Sequence, residues 1–65
     1  MENKEFKPLY KLINAFPGMN QEVGTVFGEH EGWGTTLGTE GGQFSTEWNK
    51  DTYFEPWVGK FFERI

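Results

Sequence analysis

The chain has 65 residues, a formal charge of −4, twelve aromatic side chains and no cysteine. That length holds one domain, since independent domains rarely fall below about 50 residues, and the missing cysteine excludes disulfides and thiolate metal sites. The six Lys and Arg are scattered through an acidic chain, which argues against a nucleic-acid binder, because phosphate-backbone binding rests on clustered cations.

Residues 1–7 are polar, and fraying is expected there. Leu9-Tyr10-Lys11-Leu12-Ile13 is a short apolar run bounded by Pro8 and by Phe16-Pro17-Gly18, which predicts a strand and then a turn. Pro17-Gly18 suits the two central positions of a type II turn, where Gly accepts a positive φ. Gly24-Thr25-Val26-Phe27-Gly28 is β-branched and aromatic, which predicts the second strand. Glu29-His30-Glu31-Gly32 reads as a polar turn. Trp33-Gly34-Thr35-Thr36-Leu37 follows as a third strand, with Trp33, Thr35 and Leu37 on one face.

Gly41-Gly42 is a hairpin signal. The fourth strand is Gln43–Trp48, with Phe44, Thr46 and Trp48 alternating against Gln43, Ser45 and Glu47. Asn49-Lys50-Asp51 is a loop. Pro56 favours a helical turn beginning at Glu55-Pro56-Trp57-Val58, which Gly59 keeps short. Phe61–Ile65 is compatible with a closing strand or with the end of that turn. Six of the nine glycines fall between Gly28 and Gly42, where a helix would lose about 1 kcal/mol at each. The fold predicted for residues 1–65 is all-β. It is a small antiparallel sheet or half-open SH3-like barrel of four to five strands, with a short C-terminal helical turn. Its core is expected to draw on Leu9 or Tyr10, Leu12, Val26, Phe27, Leu37, Phe44, Phe54 and Phe61.

Two segments, one near each end of the chain, carry a resemblance. Tyr10-Lys11-Leu12-Ile13, Phe16-Pro17-Gly18 and Gly24-Thr25-Val26-Phe27 are similar to the opening of a short module common in bacteriophage and bacterial proteins. Pro56, Phe61-Phe62 and Glu63-Arg64-Ile65 resemble its ending, while the Gly-rich middle and the Val58-Gly59-Lys60 spacer depart from it. The resemblance implies a phage or bacterial accessory protein and carries no functional residues with it.

The chemistry-bearing residues give little to a catalyst. Glu29-His30-Glu31 is the one cluster with metal-ligand chemistry, but in an extended chain His30 points away from both carboxylates, so no metal site is expected. The glycines of Gly32–Gly38 lack the spacing of a dinucleotide fingerprint, and Gly59-Lys60-Phe61 lacks the rest of a phosphate loop. His30 is the only imidazole that could activate Ser45 or a threonine. No catalytic residue, metal or cofactor is therefore assigned, and no enzyme is expected.

The three tryptophans are the informative feature, because Trp is rarely buried completely and is over-represented at interfaces. Trp48, Tyr53 and Trp57, with Glu47, Asp51 and Glu55 beside them and Trp33 further off, form the predicted interaction surface. The function expected is a non-catalytic protein-interaction module whose acidic, aromatic surface meets a basic protein partner or a second copy of the chain. The alternative is a phage-encoded acidic inhibitor that mimics nucleic acid and blocks a host DNA-handling or defence enzyme. Neither nucleic acid nor membrane is expected as a partner. The lack of a long apolar run or a secretory signal gives a cytoplasmic expectation.

Overall fold

Proline near the start of the first strand sets its irregularity. In the computed structural model, which describes residues 6–65, strand β1 runs Phe6–Leu12. Pro8 stands opposite Gly28 and Tyr10 opposite Phe27, so Leu9 is an extra residue in the ladder. Pro8 has no N–H to donate, and a bulge absorbs the loss. Beyond the bulge the period of two puts Tyr10 and Leu12 inside and Lys11 outside. Phe6 and Lys7, expected to fray, are instead paired with His30 and Glu29; residues 1–5 lie outside the described residues.

Four more strands complete the sheet: β2 (Val26–His30), β3 (Thr36–Thr39), β4 (Phe44–Asn49) and β5 (Phe62–Arg64). Their order is β4-β3-β2-β1-β5, every pair is antiparallel, and β4 and β5 form the two edges of an open sheet. The all-β expectation holds, with five strands, and within Phe61–Ile65 the strand alternative is the one adopted, over Phe62–Arg64. The turn after β1 is also as expected: Met19 N donates to Phe16 O at 3.0 Å, and Gly18 has φ 86°, the type II geometry that asks for glycine.

Three boundaries differ from the pattern. Glu29 and His30 belong to β2, so they are strand and not turn. The third strand starts at Thr36, because two successive turns precede it: Trp33 N donates to His30 O at 3.1 Å, and Thr36 N to Trp33 O at 3.3 Å. The loop expected at Asn49–Asp51 is the end of β4 followed by a π-helical turn, Lys50–Phe54, and then a 3₁₀ turn, Glu55–Trp57, with Pro56 in its first residues. Asn49 starts this helical stretch by accepting a hydrogen bond from Asp51 N at 2.9 Å.

The helical stretch carries the chain from one edge strand to the other and contributes Phe54 to the core. Tyr10, Leu12, Phe27, Leu37, Trp48, Phe54 and Phe62 are the buried apolar residues. Three of the expected core residues lie outside the buried set: Val26, which the period of two turns away from the face of its neighbour Phe27, Phe44 and Phe61. Phe44 is 57% exposed while Trp48 is only 8% exposed, although alternation puts them on one face. The cause is the β3–β4 ladder. Between the pairs Gly38↔Phe44 and Thr36↔Asn49, β3 advances two residues and β4 five. The three extra residues are an odd number, so the faces of β4 exchange. At β5, Phe62 pairs with Leu12 and is fully buried, and Phe61 is only half-buried.

Candidate interaction surface

The predicted interaction residues separate into three places. Trp48 lies mostly in the core, its ring 5.1 Å from Phe27 and perpendicular to it. Trp33 lies on the other face of the sheet, where its indole would touch a Cβ at Gly38. There its ring centre lies 4.2 Å from His30 and 5.1 Å from Phe44, both tilted to it, and His30 in turn is 4.9 Å from Phe6. His30 Nε2 is 2.7 Å from Thr39 O, which fixes the imidazole as a structural group. Glycine at position 38 leaves the space that the Trp33 indole occupies against the strand.

Tyr53 and Trp57 do come together, through a residue that the sequence presents only as part of a turn. Phe16 stacks on Tyr53 at 5.1 Å and 11°, and meets Trp57 at 6.1 Å and Phe61 at 4.6 Å. Its backbone position before Pro17-Gly18 carries no signal of this; only its aromatic type does. Trp57 is 38% exposed, and Lys60 Nζ sits 5.7 Å from its ring centre. Tyr53 also lines an open groove of about 510 Å³ next to β4. Met19, Asn20 and Gln21 of the β1–β2 loop form one wall, and Gln43, Ser45 and Glu47 the other. Burial raises the pKa of the Tyr53 phenol, and the negative charge of Glu47 raises it further. Three predicted residues, Glu47, Trp48 and Tyr53, thus meet along this groove.

Glu55 faces elsewhere. It accepts a hydrogen bond from the Tyr10 hydroxyl and is ion-paired with Arg64 Nη2 at 2.7 Å, linking the 3₁₀ turn to β1 and β5. The Arg64 hydrogen bond first, and the Tyr10 hydrogen bond second, hold its carboxyl down at about 2. A carboxyl whose pKa is depressed by folding adds stability above its ordinary value, and that stability is lost as the pH falls from 4.5 to about 2. The melting temperature of Glu55→Gln is therefore expected to lie below that of the parent at neutral pH. The gap should close across that acid range and narrow in high salt, since the pair is open to solvent. Parallel thermal melts at several pH values check this. A gap that does not change with pH would remove the carboxylate from the account. Asp51 sits in the helical stretch, where its N–H is held by Asn49.

Among the described residues, no three His, Cys, Asp or Glu side chains gather within reach of one metal ion, and no helix is long and apolar enough to cross a membrane. No family model, curated protein or solved structure matches the chain.

Proposed function

We propose that the protein is a non-catalytic interaction module, an accessory protein of phage or bacterial type that works in the cytoplasm. The observation that carries this reading is the aromatic surface outside the core. Phe16, Tyr53, Trp57 and Phe61 are mutually packed and only partly covered, and they run into the groove beside β4. Rings held in place by one another lose little side-chain entropy on binding, and half-exposed aromatics are the usual anchors of protein contacts. The nucleic-acid mimic reading has less support. It needs an uninterrupted row of carboxylates, yet Glu29 and Glu63 stand opposite Lys7 and Lys11, and Glu55 is paired with Arg64.

Trp57→Ala tests the reading. Trp57 is not a core residue, so its loss should move the melting temperature by only a few degrees. Capture of a partner on the immobilised chain should weaken about tenfold or more. A variant that folds and captures the same partner equally well would place the function elsewhere.

A further inference from the structure

We infer that the groove beside β4 receives an extended, cationic segment of the partner protein, with Lys or Arg side chains laid against Tyr53 and directed at Glu47. This rests on the interaction-module reading and specifies its partner. The distribution of charge supports it. The five cations among the described residues are Lys7, Lys11, Lys50, Lys60 and Arg64. Lys7 and Lys11 stand opposite Glu29 and Glu63, and Arg64 is paired with Glu55. Lys50 lines the hollow around Tyr10 and Glu55, and Lys60 lies over Trp57 and Phe61. None of the five lines the groove.

The groove has one carboxylate among its lining residues and no cation. Glu47 lines it, Glu22 directly follows the lining residue Gln21, and Glu40 lies in the hairpin turn two residues before the lining residue Gly42. The shape and the polar groups favour an extended occupant. The groove is a channel between a loop and a strand, and the amides of Asn20, Gln21 and Gln43 line it. Gln21 Nε2 donates to Gln43 Oε1 at 3.2 Å across the channel in an exposed contact, a bond that a peptide backbone can replace in kind. A Lys or Arg stem covers aromatic surface while its head stays at a carboxylate, which matches Tyr53 beside Glu47.

The probe is a short synthetic peptide alternating lysine and valine, titrated into the whole chain and followed by calorimetry. Its counterpart has glutamate in place of lysine. The lysine peptide is expected to bind, and to bind more weakly as salt rises. Glu47→Gln, at an exposed position that folding does not need, should reduce the affinity about three- to tenfold. Tyr53→Ser should reduce it further. Lys60→Ala, outside the groove, should leave it within about twofold. Equal binding of the two peptides, no binding of the lysine peptide, or no effect of Glu47→Gln would overturn the inference. So would a concentration-dependent dimer that excludes the peptide, since the occupant would then be a second copy. Each of these results leaves the interaction-module reading standing if Trp57→Ala still weakens partner capture.

Discussion

Phe27→Ala is expected to abolish cooperative unfolding of this protein at ambient temperature. Phe27 is fully buried and its ring is the centre of the core, 5.1 Å from Trp48, 5.2 Å from Phe54 and 6.0 Å from Phe62. These three come from β4, from the helical stretch and from β5, so one side chain joins the sheet to the segment that covers it. Truncating a buried Phe costs about 3–5 kcal/mol, because the transfer term and the cavity term add. A 65-residue chain with no disulfide and no metal cluster among its described residues has little to spare against that loss. Phe44→Ala removes the same side chain from a 57% exposed position, and should cost less than about 1 kcal/mol. Chemical denaturation of both variants checks the pair of expectations. Comparable stability of the two would mean that β4 is packed the other way round.

Phe27 and Phe44 also show how far the sequence can be read. Where the ladder is regular, pattern and structure agree: Tyr10, Leu12, Phe27 and Leu37 point inward as a period of two requires. The turn at Pro17-Gly18 and the helical start at Pro56 were legible because both residues restrict the backbone directly. The β4 inversion was not legible. Whether three extra residues are taken up between two strands depends on the pairing with β3, and nothing within Phe44–Asn49 encodes that by itself. The same holds at Phe61-Phe62, where the partner Leu12 selects which ring is buried.

The candidate surface was legible in composition and not in arrangement. An excess of aromatics predicted that some would remain outside the core, and Tyr53 and Trp57 do. Which ones remain is decided by long-range contacts. Phe16 joins Tyr53 and Trp57 from a loop far away in sequence, and Glu55 is diverted from the surface by Tyr10 and Arg64, 45 and 9 residues off. Charge was read correctly as a total and only the fold shows where it collects. Glu29 and Glu63 stand opposite lysines of β1, whereas Glu47 lines a groove that none of the described cations lines.

Gly28→Ala is the second substitution expected to have a large effect. Gly28 is buried in the middle of β2, opposite Pro8 on one side and Gly38 on the other. Its φ is unexceptional, so conformational freedom is not the reason for glycine here. Space is. A Cβ at this position would overlap the Lys7 carbonyl oxygen and come within 2.8 Å of Pro8 Cα. Both are backbone atoms next to the bulge, so no side chain can rotate out of the way, and β1 would have to move off β2. Forcing extra volume into such a site costs about 1–3 kcal/mol where the surroundings can adjust, and more where they are backbone. The same methyl group at Gly41, in the hairpin turn, meets only Thr39 Oγ1 at 3.9 Å, an ordinary contact at a φ that is not positive. Gly41→Ala should therefore be neutral or stabilising by up to about 1 kcal/mol, through the lower entropy of the unfolded chain. Melting the two variants side by side gives the result: a large loss at Gly28 with none at Gly41 locates the cost in the close approach of β1 to β2. Equal effects would mean that both positions report only the helix and strand preferences of alanine. A stable Gly28→Ala would also imply that the Leu9 bulge can shift, freeing the Phe6–Lys7 pairing with His30 and Glu29 that depends on it.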